Sequence, residues 1–276
     1  MGQAPSPLST AYRGKYDAPV LIATFNCNSI RSRLQTVLSW MAKHQPDVLA
    51  LQETKCPDDR FPADPFVQAG YRIVFRGQKS YNGVAMAGQV CFEEVSFGLG
   101  DDDGASQVRL AHVRVGDLHV VNTYVPQGQE LDSPMFQFKL AWLGRLKAYF
   151  QRRFDPSRDL VAWVGDLNIA PRPIDVYDSK SIWPHVCHCQ ECTDALDDVM
   201  SWGLVDVVRK HMPGEGVFTF WDYRFPSMRS NKGWRLDHIL VTAPLADRSR
   251  EVFIDLEPRR GPKPSDHTFV AARFDG

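Results

Sequence analysis

The chain has 276 residues, 43% of them hydrophobic and 24% charged, with a formal net charge of −1. That balance supports a large core in a soluble globular protein and excludes nucleic-acid binding through bulk charge, so any such contact must come from local Lys and Arg clusters. No apolar run nears the roughly 18–20 residues of a membrane span, and the N-terminus lacks a signal-peptide layout.

Residues 1–18 mix Pro, Ser, Gly and Ala without periodicity and read as a flexible leader. Met1 to Ser6 matches the bare myristoylation pattern, which is too short to carry weight. Val20 to Asn26 is a compact apolar run, expected as a buried strand. Asn28 or Ser29 can cap the helix that follows. Its apolar face is Ile30, Leu34, Val37, Leu38 and Met41, and Pro46 stops it. A second strand is expected from Asp47 to Glu53, then short strands near 71–76, 83–87, 107–115 and 118–125. A helix is predicted from Ser133 to Arg153 with Phe136, Leu140 and Leu143 as its core stripe. Leu160 to Asp166 reads as a strand and 191–202 as a short helix. Further strands are expected at 205–209, 217–223, 235–242, 251–256 and 267–273. No composition break marks a second domain, so 19–276 is expected to be one unit. The fold class is α/β: a four-layer sandwich of two packed mixed β-sheets flanked by helices.

Apolar strands repeatedly end in polar residues: Asn26 and Asn28, Glu53, Tyr124, Asp166 and Asn168, Asp237, and Asp266 with His267. A buried strand has no need of carboxylates at its tip, whereas a hard cation such as Mg²⁺ takes oxygen ligands. A carboxylate can take a proton from water, and His and Asn can hydrogen-bond phosphate oxygens where transition-state charge gathers. Each motif by itself is bland. Gly-Asp-Leu-Asn is more often a turn than a site, and an Asp-His pair is common. The combination and its order carry the argument. Arg and Lys gather in loops at Arg31/Arg33, Arg76/Lys79, Arg224/Arg229/Lys232/Arg235 and Arg259/Arg260/Lys263, as solvated surface or as a phosphate-facing rim.

The ordered set comprises Thr-Phe-Asn-Cys-Asn-Ser-Ile-Arg, Leu-Gln-Glu-Thr-Lys, Tyr-Asn-Gly-Val-Ala, Asn-Thr-Tyr-Val-Pro-Gln-Gly, Gly-Asp-Leu-Asn-Ile-Ala, Gly-Trp-Arg-Leu-Asp-His and Pro-Ser-Asp-His. It resembles the exonuclease III-type apurinic/apyrimidinic (AP) endonucleases of the endonuclease/exonuclease/phosphatase superfamily, from about residue 20 to the C-terminus. The resemblance implies that Glu53 is the principal Mg²⁺ ligand (Mn²⁺ as a substitute), with Asn28 and Asp266 nearby. It implies that Asp166 positions or deprotonates the attacking water. Asn26, Asn168 and Tyr124 would hold the scissile phosphate, and His267, oriented by Asp237, would stabilise the pentacovalent state. Two positions depart from the pattern. Asn28 stands where many members carry Asp, and Gln127, a phosphate or water contact, where some carry Asn.

Phe220, Trp234 and Leu236 match positions that wall the abasic-sugar pocket in family members, and such a pocket would exclude an intact base. The bland alternative is core packing. Arg224 and Met228 lie on the intervening loop and could probe or wedge the duplex. The resemblance thus implies a DNA-repair enzyme that hydrolyses the phosphodiester 5′ to an abasic site, leaving a 3′-hydroxyl and a 5′-deoxyribose phosphate. It adds 3′→5′ exonuclease and 3′-phosphodiesterase activity on blocked 3′ ends. The expected partner is double-stranded DNA, the state monomeric, and the location a bacterial-type cytoplasm in association with the nucleoid. A superfamily relative acting on a phospholipid or inositol phosphate, and a non-catalytic DNA-damage binder, are the competing readings. The aromatic set argues against the first and the pairing of Asp166 with His267 against the second.

The six cysteines include three scattered singly, as in a reduced cytosolic-type protein. The remainder fall in His185-Val-Cys187-His188-Cys189-Gln-Glu-Cys192, which has the content of a Zn²⁺ site. Structural zinc sites usually pair two separated ligand couples, so a structural turn before a helix is the favoured reading.

Overall fold

The computed structural model describes residues 19–101, 107–223 and 227–276; the expected leader, residues 1–18, lies outside them. Twelve strands among the described residues form two six-stranded sheets. The first sheet holds β1 (Val20–Asn26), β2 (Val48–Gln52), β3 (Arg72–Arg76), β4 (Val84–Gly88), β11 (Ser249–Asp255) and β12 (Phe269–Phe274), in the order β11-β12-β1-β2-β4-β3. The second holds β5 (Glu94–Phe97), β6 (Leu110–Val115), β7 (Leu118–Tyr124), β8 (Leu160–Asp166), β9 (Leu204–Asp206) and β10 (Asp237–Thr242), in the order β5-β6-β7-β8-β10-β9. Parallel pairing of β1 with β2 and of β7 with β8 makes both sheets mixed.

The layering follows from the period of two. In β1, Ile22 faces the inter-sheet core with Val48, Val84, Val113, Val164 and Ile239. Its alternates Leu21, Ala23 and Phe25 pack outward with Val37, Trp40 and Met41 of α1 (Ile30–His44). Covered on both faces, the central strands read as unbroken apolar runs. Phe25 and Trp40 sandwich Phe269, with ring centroids 3.9 and 4.3 Å away. Each such ring stabilises the fold by roughly 1.5–3 kcal/mol through burial. On the outer face of the second sheet, α3 (Pro134–Arg153) and α5 (Gln190–Met200) pack Phe136, Trp142, Leu143 and Leu196 against Val121, Trp163 and Leu240. Ser133 caps α3 by accepting from the Phe136 amide. Ser29 stands at the N-cap of α1 without a side-chain bond.

Three expectations change. The run 205–209 splits into β9 and a short helix, α6 (Val207–His211), because Asp206 caps the helix by accepting from Arg209 N. The segment 217–223 forms no strand and makes isolated bridges through Phe220. Short elements with weak periodicity also emerge that the sequence did not announce: β5, α2 (Asp64–Gln68), α4 (Ser179–Ile182) and α7 (Ala243–Asp247). Among the described residues no helix is long and apolar enough to cross a membrane.

Candidate active site

Strand direction gathers the polar residues. The C-terminal ends of β1, β2, β7 and β8 point to one end of the sandwich. β10 runs antiparallel to β8, with Asp237 opposite Asp166, and β12 runs antiparallel to β1. The beginnings of β10 and β12 therefore meet the ends of the other four. Past these tips the backbone turns sharply: Asn28, Glu53, Lys55 and Asn168 all have φ between 42° and 51°. Non-glycine residues rarely hold this left-handed conformation, and it clusters at functional sites.

Asp166 and His267 form the buried centre, 1% and 5% exposed. Asp166 Oδ2 accepts from Asn26 Nδ2 at 2.9 Å, and its Oδ1 accepts from the Asn168 amide at 2.9 Å. Burial pushes Asp166 up to about 7, against the pull of the His267 charge. His267 Nδ1 sits 2.7 Å from Asp237 Oδ2, and its Nε2 faces Asp166 Oδ2 at 3.7 Å. Burial would lower His267, but the charges of Asp237 and then Asp166 outweigh it and raise the ring to about 10. The ring is therefore an imidazolium at neutral pH, and Asp237 fixes its orientation. Tyr124 is held well above its usual pKa by burial and then by the Glu53 charge, so it remains a phenol donor.

Asn26 Nδ2 also donates to Glu53 Oε1 at 2.8 Å, joining this centre to a second one. There Lys55 Nζ lies 2.6 Å from Glu53 Oε2 and 2.7 Å from Asn28 Oδ1, and Asn28 Nδ2 donates to Asp266 Oδ1 at 3.0 Å. Glu53, Asn28 and Asp266 are hard oxygen donors, and the Lys55 ammonium shows two of them already turned toward positive charge. The set fits a small divalent cation. Asp166, Asp237 and His267 also bring ligand atoms within 4.8 Å of one another. With His267 protonated and ion-paired, that trio suits acid–base chemistry better than metal ligation.

Both centres open on a cavity of about 280 Å³ lined by Glu53, Tyr124, Gln127, Asp166, Asn168, His185, Cys187, Phe220, Asp222, Trp234, Leu236, Asp266 and His267. Phe220 and Trp234 exchange backbone hydrogen bonds at 2.9 Å, and the Phe220 ring lies 5.0 Å from that of His267. Gln127 is exposed at the rim, its Oε1 accepting from Gln129 N at 2.6 Å. Of the expected loop residues, Met228 is partly buried, and Arg224 lies outside the described residues.

Sequence reading missed the supports. Lys139, fully buried on α3, donates to the carbonyls of Gln127, Asn168 and Val186 at 3.3, 2.9 and 2.5 Å. Its place inside an apolar stripe was the available signal. Arg109 stacks its guanidinium over the Tyr124 ring at 4.8 Å and bonds the Tyr124 carbonyl at 3.1 Å. Arg235, grouped above with charges read as solvated surface or as a rim, is 1% exposed and points inward to Asp175 and Asp206, each at 2.7 Å. It thereby anchors the segment that carries Trp234 and Leu236 into Asp237 at the start of β10. In the Cys/His run, both His188 nitrogens are engaged, by Ser179 Oγ at 2.8 Å and Ala170 O at 2.7 Å. Cys192 Sγ accepts from Cys189 N at 3.3 Å at the start of α5. These contacts make a capped turn, as favoured above.

The fold and site geometry define a phosphoesterase-like scaffold. The model of the endonuclease/exonuclease/phosphatase family matches residues 23–267, and the chain belongs to that family. It is 32% identical to exodeoxyribonuclease III of Haemophilus influenzae, over 91% of this chain and 98% of that one. An AP endonuclease from Archaeoglobus fulgidus superposes with a TM-score of 0.90 at 43% identity, covering 93% of this chain and all of that one. The 3′ phosphatase NExo from Neisseria, solved with product DNA hairpin, gives a TM-score of 0.90 at 34% identity, again over 93% of this chain and 100% of that one.

Proposed function

We propose that this chain is a metal-dependent DNA-repair nuclease that hydrolyses the phosphodiester 5′ to an abasic site in double-stranded DNA, with 3′→5′ exonuclease and 3′-phosphodiesterase activity. The observation that carries it is the juxtaposition of a raised Asp166 carboxylate, an imidazolium at His267 and an aromatic-walled cavity beside them. Its similarity to exodeoxyribonuclease III, to an AP endonuclease and to a 3′ phosphatase supports the choice. Residues 19–276 act as one catalytic domain and as a monomer, a reading supported by both sheets supplying the site from one chain.

Glu53, Asn28 and Asp266 would hold Mg²⁺, or Mn²⁺ in its place. When bound, that ion supplies positive charge against the phosphate oxygens. Asp166, aimed by Asn26 and Asn168, accepts the proton of the attacking water. His267 donates to the phosphate oxygens as their charge grows, and Asp237 keeps it protonated. Tyr124, Asn168 and Gln127 hold the phosphate, while Phe220, Trp234 and Leu236 enclose the extruded sugar.

The test is a duplex with one abasic site, incubated with Mg²⁺ or with EDTA. Incision on the 5′ side with Mg²⁺ and not with EDTA is expected, and an uncut duplex in both would sink the proposal.

A further inference from the structure

His185 lines the same cavity but belongs to neither the acid, amide and imidazolium centre nor the candidate metal set. It stands on a closed turn: His185 N donates to His188 O at 3.0 Å, and His188 N donates to His185 O at 2.7 Å. Lys139 holds this turn through the Val186 carbonyl. The imidazole is therefore carried on a rigid frame. Its ring packs on Trp234 with centroids 4.9 Å apart. Trp234 is bridged to Phe220, which in turn packs on His267. His185 is thus linked to His267 through two ring contacts joined by the Phe220–Trp234 backbone bridge.

One bond sets its tautomer. A backbone N–H can only donate, and Cys187 N donates to His185 Nδ1 at 3.1 Å. Nδ1 therefore carries the lone pair, and Nε2 carries the hydrogen of the neutral ring. Burial, followed by the charge of Lys139, holds the imidazole below its ordinary pKa, which keeps it neutral at pH 7. The outcome is a neutral N–H donor on a ring that lines the cavity beside Trp234.

A sugar that has lost its base carries a hydroxyl on C1′, where the base was. Its phosphates belong at the Asp166–His267 end of the cavity. A hydroxyl enclosed by aromatic walls is costly unless it finds a partner. We infer that His185 is a specificity-determining residue whose Nε2–H donates to the C1′ hydroxyl of the extruded abasic sugar. The inference rests on the abasic-site reading and deepens it: the site would select a true hemiacetal lesion over a sugar that merely lacks a base.

Two duplexes separate the cases, one with a natural abasic site and one with tetrahydrofuran, which has no C1′ hydroxyl. The unaltered protein with Mg²⁺ should show kcat/KM about fivefold higher on the natural site, the value of one net hydrogen bond. His185→Ala should lower the natural-site value to the tetrahydrofuran level and leave tetrahydrofuran incision unchanged, which also reports an intact fold. His185→Gln, which keeps a donor, should restore part of the preference. If His185→Ala fails to fold, His185→Leu carries the same expectation. An unaltered ratio in the Ala or Leu variant overturns the inference alone, and so does faster incision of both duplexes, which would make the ring an obstruction. Incision of neither duplex by the unaltered protein overturns the abasic-site reading and the inference with it.

Discussion

Asp166 and His267 oppose each other across 3.7 Å with complementary demands. Asp166 must lose its proton to activate water, whereas His267 must keep its own to neutralise the phosphate. Burial raises the first to about 7 and the flanking carboxylates raise the second to about 10. Incision rate should therefore climb with pH through about 7 and fall through about 10, the two limbs belonging to the coupled pair. Stopped assays of kcat/KM across pH 5–11 check this, and a flat profile would remove the pair from the chemistry. Asp166→Asn should retain DNA binding in a gel-shift assay and lose roughly 10²–10⁴-fold in incision. An active variant would take Asp166 out of the water-activating role.

At the scale of elements, α3 does more than cover the second sheet. Its Lys139 reaches three carbonyls on three loops and thereby holds Asn168 and the His185 turn in place. Lys139→Met should leave those carbonyls without their charged donor and cost on the order of 2–3 kcal/mol. The expected readouts are a lower melting temperature and a fall in kcat/KM, since Asn168 loses its support. Unchanged melting would show the three bonds to be dispensable. The segment leading into β10 is held in the same manner from behind. Arg235, bonded to Asp175 and Asp206, alternates with the cavity-facing Trp234 and Leu236.

Across the whole molecule, buried neutral histidines make the fold acid-sensitive. His112 pairs with His119 at 3.0 Å beneath Phe154, and burial lowers it from 6.5 to about 3. His238 is lowered to about 4 by burial and then by Arg235. Both take up protons near 6.5 when unfolded and resist them when folded. Their contribution to stability is complete above 6.5 and is lost as pH falls toward 3–4. Thermal melts from pH 7 to 4 should show a declining midpoint, and His112→Gln should flatten the decline. A midpoint independent of pH in that window would contradict the assignment.

Much of this design was legible in the sequence because polar residues at the tips of apolar strands have no packing reason to be there. Asn26, Glu53, Tyr124, Asp166, Asp237 and His267 stood out by chemistry and order, and the covered central strands by their continuous apolar runs. Segment 217–223 reads as a strand because its alternating aromatics match a strand period, although in space, among its described residues, Phe220 alone bridges, to Trp234 and to His267. The supports were hidden for a related reason. A lysine on a helix or an arginine in a loop reads as surface until the tertiary structure buries it, as with Lys139 and Arg235. The sequence by itself determined which chemical groups are present and that they belong to strand ends. Only the packing of two sheets, with β10 and β12 reversed against their neighbours, decided which carboxylate faces the histidine and which ring closes the cavity. Those choices depend on long-range register and burial, which no local pattern encodes.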